Sequence, residues 1–265
     1  MFKTITLKSL FSMRWPLVGW TLGVISIAFL TMVLFDSFNQ TGIDSIVESV
    51  PPELQSLIGS VDDFMTIPGY IGQQIFGPNL YIIVIVMSIM LFLSVSAREE
   101  EFGGLQSLLT LPVSRTQVYF EKLAAVLIVI LIVAASIVLA LWAALDAIDK
   151  TANYTRIWQS VFDLYLVCVA YGLIAYSVAM GTGKKALAIV LAAGYATASF
   201  LITTLAPAID KLEFIDKFSL LHYYNSPQIM SEGLSWQHVT VLIVACLALI
   251  IAGWIGFIKR DVRSN

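Results

Sequence analysis

Charge is what this sequence has least of. Only 12% of its 265 residues are charged while 58% are hydrophobic, whereas a soluble domain has about a quarter charged residues. So few polar side chains cannot cover a water-soluble globule of this size. Cysteine is scarce as well: Cys168 and Cys246 both fall inside long apolar runs. A thiol there acts as a small apolar side chain, which argues against a disulfide or a thiolate metal site. The two histidines, His222 and His238, are too few for most metal centres, and no His-Glu-x-x-His pattern occurs. The run Gly181-Thr182-Gly183-Lys184-Lys185 has a phosphate-loop flavour. Val178, however, stands where its first glycine belongs and Lys185 where Ser or Thr belongs. These absences leave no catalytic group, cofactor site or metal site expected on this chain.

What the chain does have is long uncharged blocks. About 20 apolar residues cross the hydrocarbon of a bilayer, and six such blocks can be placed, at about 16–35, 78–97, 124–145, 160–180, 186–206 and 239–258. The fold class expected is all-α, a polytopic integral membrane protein with six transmembrane helices forming one domain over 1–265. Lys3, Lys8 and Arg14 before the first block resemble the start of a signal peptide. The block is too long for that role and ends in Phe35-Asp36-Ser37 without a small-residue cleavage site, so it reads as a retained helix.

Orientation follows from the basic residues. With the N-terminus inside, only Lys150, Arg156, Lys211 and Lys217 of the 15 Lys and Arg lie outside. The stretch 36–77 holds six acidic residues and no basic one. The positive-inside bias therefore places both termini in the cytoplasm. The net charge of -3 hides this asymmetry and points to no nucleic-acid partner.

Phe2, Ile5, Leu10 and Phe11 alternate with Lys3, Lys8 and Arg14, which suits either a short amphipathic helix at the inner interface or a basic start that only sets topology. In the outer loop 36–77, two apolar series at helical spacing, separated by Pro51-Pro52, predict two short surface helices. The outer stretch 207–237 reads as further short amphipathic helices. Its His222, Tyr223 and Tyr224 suit an interfacial aromatic belt or a substrate contact.

Spans one, two, three, five and six carry no charge; Asp163 in span four and His238 beside span six approach the membrane near its outer face. Mid-bilayer charges mark proton relays and ion pathways, so a proton-coupled mechanism has no obvious vehicle. Glu99-Glu100-Glu101 resembles the paired glutamates of CAAX-type intramembrane proteases. The arginine expected four residues later is missing, with Gly104 or Leu105 there, and the later spans lack the histidine partners.

The inner segment 98–122 is the patterned polar interruption. Gly103-Gly104 suits a sharp turn, since glycine costs about 1 kcal/mol in a helix interior. Leu105, Leu108 and Leu109 give a short helix with one apolar face, and Pro112 ends it. Ser114-Arg115-Thr116-Gln117 matches a capping box, with Gln117 reaching back to the Ser114 end, and starts the helix that becomes span three. The apolar face is either a docking surface for another protein or a stiff loop resting on lipid.

The pattern Glu101-x-Gly103-x-Leu105-x-x-Leu108-Leu109-x-x-Pro112-Val113-Ser114-Arg115, followed by Lys122-Leu123, resembles the loop between spans two and three of type-2 ABC exporter permeases. Six spans with both ends inside, the basic start, the proline-bearing outer loop, the Lys184-Lys185 turn and the stretch 219–227 are similar to that family too. Where the family often has Thr after the glycine and an acidic residue two positions later, this chain has Gly104 and Gln106. The resemblance implies a membrane subunit of an ATP-driven exporter in the plasma membrane, in bacteria the cytoplasmic membrane. ATP and Mg would sit on a separate ABC-type ATP-binding subunit, and a second permease subunit would complete the pathway as a homodimer or heterodimer. It further implies that Glu100, Glu101, Gly103, Gly104, Leu105, Leu108, Leu109, Pro112 and Arg115 form the loop that docks the ATPase. Apolar spans with Tyr165, Tyr171, Tyr176 and Tyr195 suit a lipophilic drug, an antimicrobial peptide or a lipid, although such tyrosines also serve as packing. The rivals are a non-transporting membrane scaffold or regulator and a secondary transporter.

Overall fold

The computed structural model describes residues 4–35, 66–101 and 112–260, and every regular element among them is helical. Thr4 caps a short helix, α1 (Ile5–Ser12), by accepting from the Leu7 amide. The chain bends at the buried Met13 and continues as α2 (Arg14–Val33). After α3 (Ile67–Tyr70), a wide turn at Ile71–Ile75 leads to α4 (Pro78–Val95). Proline opens α4 at no hydrogen-bond cost, because the first helical N–H has no intrahelical partner. Ser96 leaves helical geometry and separates α4 from α5 (Ala97–Glu101). The later helices are α6 (Arg115–Ala147), α7 (Tyr154–Thr182), α8 (Lys185–Leu205), α9 (Asp210–Asp216), α10 (Ser226–Ser231) and α11 (Trp236–Lys259).

Six of these, with α4 and α5 taken together, are long and apolar enough to cross a membrane. They coincide with the six expected blocks; α6 starts at the cap expected for it, and α7 starts earlier than expected. α6 begins at Arg115 because Ser114 accepts from the Gln117 amide at 3.1 Å. α7 begins at Tyr154 because Asn153 accepts from the amides of Thr155 and Arg156. The six long helices alternate in direction. We call the end that holds α1, α5 and Arg260 basal, and the opposite end apical.

α7 is the centre of the bundle and packs on α11, α4, α8 and α6, while α1 and α2 lie against α6. Burial follows that arrangement. α4 and α7 are buried on most sides, whereas α2 fully buries only a stripe at Val24, Ala28 and Met32 and leaves the rest half-buried or exposed. That i, i+4, i+8 spacing is one helical face. Small residues set how closely α7 is approached: a side-chain carbon at Gly172 would lie 2.2 Å from the Phe92 ring of α4. Ser88 of α4 donates to the Cys168 carbonyl of α7 at 2.6 Å. On the α11 side the Gly181 and Gly256 backbones meet, and Ser177 donates to the Leu249 carbonyl at 2.6 Å.

At the apical end, a cap of short helices covers the bundle. The predicted helices at 43–61 lie outside the described residues. Those predicted in 207–237 are present as α9, α10 and two single turns. Tyr224 does not belong to the expected aromatic belt, since it is buried and donates to the Phe76 carbonyl at 2.7 Å, while the half-buried His222 hydrogen-bonds Asp216 through Nδ1. Residues 67–76 were expected to be outer loop, yet Tyr70, Ile71, Ile75 and Phe76 are all buried, with Tyr70 donating to the Thr31 carbonyl. Their apolar run is too short to register as an element by periodicity.

The two kinds of helix surface respond differently to one methyl group. Gly172→Ala is expected to cost about 1–3 kcal/mol, because neither the Phe92 ring nor Ser88 has room to move. Gly194→Ala on α8, where nothing lies within 4 Å, is expected to leave stability equal or higher. Thermal unfolding of the purified chain in detergent, read side by side, checks both.

Candidate functional site

Consecutive residues of a helix point about 100° apart, so three glutamates in a row cannot face one partner. In α5 each finds its own. Glu99 pairs with Lys122 of α6 at 2.7 Å and with Lys8 of α1 at 3.2 Å. Glu100 pairs with Arg260 just beyond α11, and Glu101 pairs with Lys185 at the start of α8 at 2.7 Å. One short helix is thereby tied to four others at the basal end. α1 is held a second time, since the Thr6 amide donates to Glu121 Oε2 at 3.0 Å.

The cations in this network do a second task. A helix leaves its last carbonyls without intrahelical partners and carries partial negative charge at that end. α4, α7 and α11 all end basally, and each end receives a basic side chain. Lys122, fully buried, donates to the Val95 carbonyl at 2.9 Å. Arg260 donates to the Met180 carbonyl at 2.9 Å and to Ala179 at 3.3 Å. Arg115 donates to the Ile258 carbonyl at 3.3 Å and to that of Arg260. Burial draws the Arg260 guanidinium below its ordinary value. Gly183 ends α7 at a φ of 70°, and a side-chain carbon there would lie 2.5 Å from the Arg260 guanidinium. Both the left-handed backbone and the close cation require glycine.

This arrangement decides where the expected docking residues fall. Glu100, Glu101 and Arg115 are engaged within the chain, as the base from which the loop leaves and to which it returns. Pro112 is exposed beside that base. Gly103, Gly104, Leu105, Leu108 and Leu109 lie outside the described residues. The capping box is half formed: Ser114 caps as expected, but the Gln117 amide group donates forward to Glu121 at 2.8 Å instead of reaching back. Glu121 is better placed because it lies one turn along the same helix face. Glu99, Lys122 and Arg260 carry the network and were not singled out as site residues in the sequence. The available signal was Lys122 itself, a single cation at the edge of a long uncharged run. Of the four tyrosines weighed as substrate contacts, Tyr171 and Tyr176 are buried, and Tyr176 donates to the Tyr119 carbonyl at 2.8 Å. Tyr195 donates to the Phe218 carbonyl at 2.7 Å.

Fold and site together define an all-α protein with six long helices whose basal end is cross-braced by ion pairs, those of Lys122 and Arg260 largely enclosed. The chain belongs to the family described as Protein of unknown function (DUF2705), which matches residues 59–263. That match takes in α5, the whole loop and Arg260, and excludes α1. No curated protein matches the chain.

The brace predicts an asymmetric response to mutation. Glu99→Gln leaves the buried Lys122 without its counter-charge and is expected to cost about 3 kcal/mol. The double variant Glu99→Gln/Lys122→Met removes the charge with its partner and is expected to recover most of that loss. A double-mutant cycle on unfolding midpoints measures the coupling.

Proposed function

We propose that this chain is the membrane-embedded permease subunit of an ATP-driven exporter of the type-2 ABC kind. In this reading the six long helices span the plasma membrane, the basal end faces the cytoplasm, and both termini lie there. Two such subunits pair with two separate ATP-binding subunits, and a lipophilic drug, an antimicrobial peptide or a lipid moves outward between them. The observation that carries the reading is the basal brace. The segment that resembles the family's docking loop leaves and rejoins the bundle at a base tied to α1, α6, α8 and α11.

The mechanism follows from that base. Closure of the ATPases pulls on the apolar face formed by Leu105, Leu108 and Leu109. Because α6 starts at the Ser114 cap and runs 33 residues without a break, displacement at its basal end is carried along its length. Arg115 and Lys122 pass the same displacement sideways to α11 and α4. Large parts of α2, α8 and α11 remain uncovered within one chain, which leaves surface for lipid and for a second subunit. Small residues on α8, including Gly194 with open space around it, suit close helix approach.

The decisive experiment substitutes Leu108→Asp together with Leu109→Asp. Co-purification of the partner ATP-binding subunit and ATP-dependent export should both be lost, while the amount inserted in the membrane is unchanged. Retained ATPase binding would count against the docking role.

A further inference from the structure

Asp163 lies on α7, about 10 Å along the helix from the middle of the expected span, at 1.5 Å per residue. It is 1% exposed, and neither carboxylate oxygen has a hydrogen-bond partner among the described residues. An isolated ionised carboxylate in such a place is far too costly to persist, so something must balance it. The nearest cation on its own helix, Arg156, is turned away toward Gln159 and Gly233.

The carboxylate does not face solid packing. It lines a chamber between α7, the start of α11 and the apical cap, walled also by Asn225, Gln228, Ser235, Tyr223 and His238. Its volume is about 10 Å³, room for a single water-sized occupant and no polyatomic substrate. Ile229 and Leu234 make part of the wall apolar, and Asp163, Asn225 and Gln228 are the lining residues that carry side-chain carbonyl or carboxylate oxygens. Asn225 Oδ1 accepts from the Gln228 amide and Gln228 Oε1 from the Asn225 side chain, which leaves each a second lone pair. Oxygen donors suit hard cations, and no group of three His, Cys, Asp or Glu among the described residues suits a transition metal. A turn before Asp163 on α7, Ser160 Oγ is also buried and unpartnered, as is Ser226 Oγ at the start of α10.

We propose that this chamber is a binding site for one small monovalent cation, Na⁺ or H⁺, taken up by the Asp163 carboxylate. The occupant would tie the apical cap to the central helix, and the proposal stands whether or not an ATPase drives the chain. The other titratable groups around Asp163 are Tyr223 and Tyr224 on the cap, His238 on α11, Tyr81 on α4 and Cys168 on α7. Tyr224 is committed to the Phe76 carbonyl, and His238 packs against His222 and Tyr223.

The test is the unfolding midpoint of the purified full chain in detergent, titrated with Na⁺ against N-methylglucamine at constant ionic strength and at several pH values. Occupation by Na⁺ gives a saturable rise of about 5 °C. Occupation by a proton gives no Na⁺ effect and a midpoint that falls as pH rises. Either response should vanish in Asp163→Asn, or in Asp163→Ser if the first variant does not fold, and persist in His238→Gln. A wild type indifferent to both ions, or a response retained without Asp163, overturns the proposal.

Discussion

The basal end depends on cations seated on helix ends. Three helices, α4, α7 and α11, bring their C-termini to the same end of the bundle, each with unsatisfied carbonyls and partial negative charge. Left alone, like ends would repel and their carbonyls would lack donors. Lys122, Arg260 and Arg115 supply donors and charge at once. Such a cation contributes about 0.3–1 kcal/mol at an exposed end and up to ~2 when partly buried. The glutamates of α5 then balance the two that are most enclosed. Three of the basic residues that set the expected orientation are also residues that close helices.

Close packing makes the brace mechanical. Arg115 holds α6 to α11, and Arg260 holds α11 to α7 and, through Glu100, to α5. Along the same faces, Gly181 meets Gly256, and an added carbon at Gly253 would lie 2.7 Å from the Tyr119 hydroxyl. Tyr119, Tyr176 and Phe257 stack where α6, α7 and α11 converge. Side chains packed at this density have little room to absorb a displacement. A shift at the start of α6 would therefore be transmitted rather than dissipated, as the proposed drive through the loop requires.

The long helices were legible in the sequence because a run of about 20 uncharged residues has few other uses. Caps at Ser114 and Asn153 set where two of them start, and only the first was read. The short helices of 207–237 were legible as a group, but the cap helix at Ile67 was missed, since four residues hold too little periodicity to separate a buried turn from a loop. The site was legible as a segment and illegible as a network. Glu99, Lys122 and Arg260 are far apart in sequence, and which glutamate meets which cation depends on the rotation of α5 after the break at Ser96. No spacing rule records that rotation.

Two buried charges show what contacts add to sequence. Lys122 and Asp163 each border a long uncharged run of a helix, and their burial is nearly equal. Lys122 finds a carboxylate at 2.7 Å and a carbonyl at 2.9 Å. Its enclosure therefore strengthens both contacts, because a low dielectric favours a pair that is already formed. Asp163 finds neither, and the same enclosure turns it into a demand for a counter-charge from outside the chain. Burial alone thus has no sign. The partner decides whether a hidden charge fastens the fold or stays uncompensated among the described residues, and this bundle places one of each toward its opposite ends.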